Sequence, residues 1–508
     1  MIPSTYQHNK LRYALVIFVV LLWATLSDSC AADKPPSQRA SDVETRYLLF
    51  QIFTATSDPR FPGHGDRAIT PPSRAKLLKM IKSIVETIDH TGDARNKLGF
   101  ALGPIAFDHT DPEVIELIRD GFSIAMELNV AVAFHLDDSM YWGRRNDLLR
   151  DSNNVEWLDW RGTPNTGRRQ DWGPRPNKLK PQMCFNSPAI ISAVKQRAEL
   201  IGREVARGVQ VLKVSGRPEL YAGFMAGWET HIGRDFATGD YLGYCALTNM
   251  GFSANRPPKD INYQRTRLVK NFIQMWAREL TKGGVPKDKL YSHIVFTGQG
   301  LDDEKRVAKA SFEERFHFAT PEVAFDESYR PGFSTYPAPG VFTDIYEQLN
   351  RYGNPPWASA EGTNIFPSGF PGERTMETYL GRMFNHGAVL VNIFSWGMGG
   401  EALQGKNMFR IVTESTEAIA AYRKFLAGKR LIEDPQSPLS MTAFQTQIGE
   451  LRKKLKIIEQ KLPSWVRATR KRDQAEAIMK RLDKFIADGN PQEANRTADE
   501  ILGLIDAN

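Results

Sequence analysis

Two apolar stretches of this 508-residue chain end on a carboxylate: "FMAGWETHIG" (224–233) delivers Glu229, and "PPWASAEGTNIF" (355–366) delivers Glu361. A charged group closing an otherwise buried run is costly unless it is paired or used. Two carboxyls that share a cavity can divide the work of an acid and a base, because unequal surroundings hold one protonated and the other ionised at the same pH. The protonated member then donates to a leaving oxygen while the ionised member attacks. Other polar or aromatic residues gather at the ends of apolar runs in the same way. They are His135, Asp137 and Asp138 in "VAVAFHLDD", Trp228 beside Glu229, Gln299 in "LYSHIVFTGQ", Tyr336 in "RPGFSTYP", Asn364 beyond Glu361, and Trp396 in "AVLVNIFSW".

The runs that carry these groups alternate with helical patterns. Strands are expected over 46–53, 98–105, 130–138, 221–229, 290–299, 330–337, 356–364 and 388–396. Between the first two, Leu77, Leu78, Ile81, Ile84, Val85 and Ile88 fall on one face at helical spacing. Further helices are expected over 111–129, which opens on Asp and Pro, over 189–209 and over 265–280. Eight buried strands alternating with helices across 45–430 give an α/β chain of the (β/α)8 TIM-barrel class. An open doubly wound sheet shares the alternation. No Gly-rich phosphate-binding motif follows the first strand, however, and the strand count favours the barrel. Barrel active sites lie at the C-terminal strand ends, where the polar residues fall. Strands four and seven, which end in Glu229 and Glu361, stand nearly opposite one another in such a barrel.

On these residues the chain resembles the retaining (β/α)8 glycoside hydrolases of the clan whose catalytic glutamates end strands four and seven, over roughly 46–400. The resemblance implies a poly- or oligosaccharide substrate and no cofactor or metal. It implies Glu229 as acid/base and Glu361 in "SAEGT" as nucleophile, with carboxyls about 5–5.5 Å apart. It further implies Tyr336 against the nucleophile, and His135 and Trp396 lining the sugar subsite. One position departs from the pattern: the clan carries asparagine before the acid/base, and this chain carries Trp228. That departure motivates a rival reading, a catalytically silent barrel that binds carbohydrate. A second rival, a metal-dependent hydrolase centred on His135, Asp137 and Asp138, has no second histidine at supporting spacing.

A long interval, 139–188, follows the third strand and holds Trp142, Trp157, Trp160 and Trp172. Flat indoles can stack on sugar rings, and Trp142 is counted among the substrate-binding candidates. The alternative is that these tryptophans pack the loop onto the barrel. Long loops are usually functional or disordered, and so many aromatics argue against disorder.

Composition sets the remaining bounds. Hydrophobic residues at 41% and charged residues at 25% describe a globular chain. The net charge of +7 comes from Lys and Arg mixed with Asp and Glu, not from a basic face, which argues against nucleic acid as a partner. Lys10 and Arg12 precede "YALVIFVVLLWATL" and the small-residue run "SDSCAA", so 1–32 reads as a signal peptide and the protein as secreted or periplasmic. A retained N-terminal anchor is the alternative, although the apolar core is short for a span of about 20 residues. Cleavage removes Cys30 and leaves Cys184 and Cys245, enough for at most one disulfide. A linker is expected over 33–44. Over 438–508 a Lys-, Arg- and Glu-rich helical region carries Phe444, Ile448, Leu451, Leu455, Ile458 and Leu462 at alternating four- and three-residue steps. Pro463 is expected to end that helix, with two more over 464–487 and 491–505. This region is either a solvated appendage or a surface for self-association. "NRT" at 495–497 matches a glycosylation acceptor.

Overall fold

The computed structural model describes residues 44–54, 70–170, 177–295, 311–336, 341–362, 375–396, 414–432, 438–469, 471–487 and 491–506. The chain divides into Met1–Glu44 and Thr45–Asn508, and the second unit carries every element described below. The expected signal peptide, the linker up to residue 43, Trp172, Gln299 and Asn364 lie outside the described residues. Among the described residues no helix is long and apolar enough to cross a membrane.

All eight expected strands form: β1 Arg46–Phe53, β2 Asn96–Ile105, β3 Ala131–Leu136, β4 Tyr221–Ala226, β5 Leu290–Ser292, β6 Gly332–Ser334, β7 Trp357–Gly362 and β8 Ala388–Ile393. Round the sheet their order is β5-β4-β3-β2-β1-β8-β7-β6, and the neighbours are parallel. Parallel bridges Tyr291–Arg330 and Ile294–Phe333 join the two ends. Ser292 N–H donates to the Arg330 carbonyl at 3.0 Å and Ser334 N–H to that of Ile294 at 2.7 Å, so the sheet closes into a barrel.

Strands buried on both faces read as continuous apolar runs, and alternation decides which residues go inside. Tyr47, Leu49, Ala101, Ala133, Met225, Tyr291, Ala358, Ala360 and Leu390 form the inner cluster. Their neighbours Leu48, Phe50, Phe100, Leu102, Val132, Phe134 and Phe224 pack outward against the helices. The outer layer comprises α1 Arg74–Ile88, α2 Asp111–Leu128, α3 Pro188–Val214, α4 Ile261–Gly283, α5 Val341–Arg351, α6 Met376–Phe384 and α7 Thr416–Leu426. The Asp-Pro start of α2 is fixed by a capping box between Thr110 and Glu113. Beyond β5 the described residues form short turns, Phe312–Arg315 and Pro321–Ala324.

Two local differences matter for the site. β4 ends at Ala226, three residues early, because Gly227 (φ 102°) and Glu229 (φ 53°) turn the chain through left-handed conformations. The 139–188 loop has structure of its own: Arg168–Gln170 pairs antiparallel with Asn177–Leu179 and with Arg234–Asp235 beyond β4. Asp235 accepts from the Thr166 N–H at 2.6 Å, which ties the loop to the β4 side.

The C-terminal region folds as α8 Pro438–Thr469, α9 Arg472–Ala487 and α10 Pro491–Asp506. Its core joins Leu451, Ile458, Ile478, Leu482, Ala494, Ala498 and Ile501; the side chains of Phe444 and Ile448 fall outside the description. Pro463 does not end α8, contrary to expectation, and the helix continues to Thr469. A mid-helix proline forfeits a hydrogen bond and crowds the preceding turn. Carrying the helix onward buries Trp465 among Ala475, Ile478 and Ile501, which offsets that cost. Asn495 and Thr497 of "NRT" are buried on α10, which removes that pattern as an accessible acceptor.

Candidate active site

One layer above the inner alanines, the inward positions turn polar. Gln51 lies two residues after Leu49, His135 two after Ala133, His293 two after Tyr291 and Asn392 two after Leu390; each is 0% exposed. These groups bond to one another. His135 Nδ1 lies 3.0 Å from Gln51 Oε1, and its Nε2 lies 2.8 Å from His293 Nδ1. His293 Nε2 is 2.9 Å from the Ser334 hydroxyl, and that hydroxyl is 2.7 Å from Glu229 Oε1. Trp228 stacks on the His135 ring, with centroids 4.1 Å apart and planes 6° from parallel. A continuous chain of contacts therefore runs from β1 to the strand-four carboxyl.

Glu361 ends β7 on the same side. Its Oε1 accepts from the Tyr336 hydroxyl at 2.9 Å, and its backbone carbonyl accepts from the Thr335 N–H at 2.7 Å. Its second oxygen, Oε2, is buried and without a partner. Glu229 and Glu361 are each 5% exposed. Burial pushes the Glu361 carboxyl well above its usual range, the charge of Glu229 adds to the push, and the Tyr336 hydroxyl opposes it. Burial also holds His135 well below its ordinary value and His293 at about 3, so both rings are neutral near pH 7.

His135, Glu229, Glu361, Tyr336 and Trp228 thus come together at one end of the barrel. Other candidates do not join them. Asp137 Oδ1 accepts from the N–H groups of Ser139, Met140 and Tyr141 at 3.2, 2.7 and 3.2 Å, which folds the start of the loop. Asp138 accepts from the hydroxyls of Thr230 and Ser139. The triad His135, Asp137 and Asp138, weighed as a metal site, is therefore not assembled. Among the described residues, the ligand atoms that gather within 4.8 Å of one another belong to His135, His293 and Glu361. All four ring nitrogens of that pair are engaged, and a cation there would have to replace the contact between the two rings.

Two expected sugar platforms are corrected. Trp142 is fully buried and donates its indole N–H to the Pro181 carbonyl at 3.0 Å, so it packs the loop. Trp396 turns to the outer layer, donating to Ser83 Oγ of α1 at 2.9 Å and meeting Phe50 edge-on at 5.1 Å. Phe394 clusters instead with Trp228, Tyr141 and Tyr336. Trp157 and Trp160 pack against a second small core around Cys184 and Cys245, both free thiols.

Sequence reasoning missed Gln51, His293 and Ser334, and also Arg168. The Arg168 guanidinium comes from the loop sheet, is 1% exposed, and its charge is felt by Asp137, Asp138 and Glu229. The available signal was the polar residue set inside each of the apolar runs "RYLLFQIF", "LYSHIVF" and "AVLVNIF": Gln51, Ser292 with His293, and Asn392.

No family model and no curated protein matches the sequence. Solved structures are similar to it at low identity. The endo-beta-1,4-mannanase from Thermotoga petrophila is 9% identical, with 78% of this chain and 79% of that chain covered at a TM-score of 0.44. A GH5-4 broad specificity endoglucanase from an uncultured bacterium is 9% identical, covering 75% and 94% at 0.37. A 2-naphthoyl-CoA reductase is also 9% identical, covering 75% and 50% at 0.33.

Proposed function

We propose that the protein is an exported glycoside hydrolase that cleaves a poly- or oligosaccharide by retaining double displacement, with Glu229 as acid/base and Glu361 as nucleophile. The observation that carries this reading is that one short segment holds both carboxyls: Ser334 contacts Glu229, and Tyr336, two residues on, contacts Glu361. Glu229 gives its proton to the glycosidic oxygen as that bond to the anomeric carbon breaks. Glu361 attacks the same carbon through Oε2, the oxygen Tyr336 leaves free, and forms a glycosyl ester. Water then attacks the anomeric carbon from the opposite face, giving its proton to Glu229, expelling Glu361 as carboxylate and releasing the sugar with its configuration retained. Burial of both groups strengthens each electrostatic contact in the cleft. Trp228, which stacks on His135, occupies the position where the clan carries asparagine, so either another residue meets the sugar 2-hydroxyl, or the substrate lacks an ordinary one, or Glu229 is not the acid/base.

The test is a panel of plant, algal and microbial glycans incubated with wild type and with Glu361→Ala, with products read by mass. Fragments from the wild type and none from the variant are expected. Full activity in Glu361→Ala would remove the nucleophile assignment. Binding without turnover by the wild type would instead mark a silent carbohydrate-binding barrel.

A further inference from the structure

Hydrogen-bond polarity through the buried core decides where one proton sits. The Gln51 amide has a single workable orientation. Its Nε2 faces the carbonyls of Ile52, Ala101 and Gly103 at 3.4, 3.3 and 3.3 Å, and its Oε1 faces Asn392 Nδ2 at 2.8 Å. Asn392 cannot be reversed either, because the same Nδ2 donates to the Ala360 carbonyl at 2.8 Å. Backbone carbonyls have no donor form, so both amides are fixed. Gln51 Oε1 must then accept from Nδ1–H of His135.

A neutral imidazole carries one N–H. With its proton on Nδ1, His135 offers Nε2 as an acceptor, and the donor 2.8 Å away is Nδ1–H of His293. His293 Nε2 is then an acceptor as well, and it takes the single proton of the Ser334 hydroxyl at 2.9 Å. The remaining contact, 2.7 Å between Ser334 Oγ and Glu229 Oε1, can be a hydrogen bond only if Glu229 supplies the proton. An ionised Glu229 would reverse the last two bonds and require an imidazolium in the pair. The Gly227 carbonyl at both rings favours that charged form, but burial outweighs it.

We propose that Gln51 sets the direction of a relay through His135, His293 and Ser334 that keeps the proton on Glu229, which makes Gln51, His293 and Ser334 positioning residues for the acid. This inference deepens the hydrolase reading and draws its catalytic meaning from it. With Glu229 neutral, one of the two pushes against an ionised Glu361 disappears; burial, the larger, remains, and the Tyr336 hydroxyl opposes it. Among the described residues, Glu361, Tyr336 and Arg168 have fields that reach Glu229; the Arg168 cation favours the ionised form, and the relay works against it. The proton that Glu229 loses to the leaving oxygen returns from water; until it does, the Ser334–Glu229 contact lacks its hydrogen, which adds to the cost of ionising Glu229.

The experiment is long-range nitrogen–proton NMR of the full chain with labelled histidine, near neutral pH, with His135 and His293 assigned from single His→Gln variants. Both rings are expected to be neutral with the proton on Nδ1. A neutral Nε2–H ring at either position, or a doubly protonated ring, would overturn the proposal. In Gln51→Leu the His135 ring is expected to lose its Nδ1–H signature, whereas Ser334→Ala should leave both rings as they are. Unchanged tautomers in a folded Gln51→Leu would show that Gln51 does not set the direction. The readout needs no substrate, so a wild type that cleaves no glycan but shows both Nδ1–H rings would sink the hydrolase reading and leave the relay standing.

Discussion

Ser334 and Tyr336 stand two residues apart at the end of β6 and reach two different carboxyls, Glu229 at 2.7 Å and Glu361 at 2.9 Å. Residues at this spacing in an extended segment share a face, so one strand end fixes both groups relative to each other. The rest of the barrel makes the two surroundings unequal. Glu229 continues into the histidine relay, while Glu361 keeps one buried oxygen without a partner.

Tyr336→Phe removes a hydrogen bond to a charged form, worth about 1.5–3 kcal/mol. The expected result is a fall in kcat/KM of about 10- to 100-fold with KM little changed. Because the hydroxyl favours ionised Glu361, its loss should also move the acidic limb of the rate profile to higher pH. Steady-state kinetics against pH read both effects, and an unmoved acidic limb would argue against Glu361 as the group that must ionise.

Trp228→Ala removes a buried indole that stacks on His135 and meets Phe53 edge-on at 5.8 Å. A loss of about 3–5 kcal/mol is expected, seen as a lower urea midpoint at an unchanged denaturant slope. A midpoint close to wild type would mean that the stack contributes little to holding the ring.

Glu156 makes stability fall as pH rises. It is fully buried, accepts from the N–H groups of Cys245 and Ala246 at 3.1 and 3.4 Å, and burial pushes its carboxyl up to about 8 from an ordinary 4.5. A folded-state value above the unfolded one gives stability that is complete below about 4.5 and is lost as pH rises towards about 8. Glu156→Gln cannot titrate, so its Tm should decline less than that of the wild type across this window. Asp137, pushed up to about 7, leaves part of the slope in place. Parallel curves for the two proteins would contradict the assignment.

Arg168→Met would leave Asp137 and Asp138 buried without the cation whose charge reaches them. It would also remove the hydrogen bond from Nη2 to the His231 ring at 2.8 Å; leaving a buried polar group without its partner costs about 1–3 kcal/mol, so the midpoint of urea unfolding should drop. Little change would show that the loop sheet does not depend on this charge.

The barrel was legible because strands buried on both faces are apolar throughout, and eight such runs survive as strands. Glu229 and Glu361 were legible because they end those runs. Gln51, His293 and Asn392 were not, since a polar residue within an apolar run gains meaning only when closure of β1, β3, β5 and β8 brings such residues to one level. Trp396 misled because the strand stops at Ile393, three residues earlier, so its parity along β8 says nothing about its direction. Trp142 misled for a related reason: within a loop, an indole that packs and one that awaits a sugar look alike in sequence.

Azide rescue tests the pairing of the two glutamates most directly, using Glu361→Gly and Glu229→Gly on a glycan that the wild type cleaves. If Glu361 attacks and Glu229 donates, Glu361→Gly should give a glycosyl azide of inverted configuration, because azide takes the place of the lost nucleophile. Glu229→Gly should give the retained azide, because the ester still forms and azide replaces water. The same configuration from both variants, or no azide product from either, would contradict the assignment.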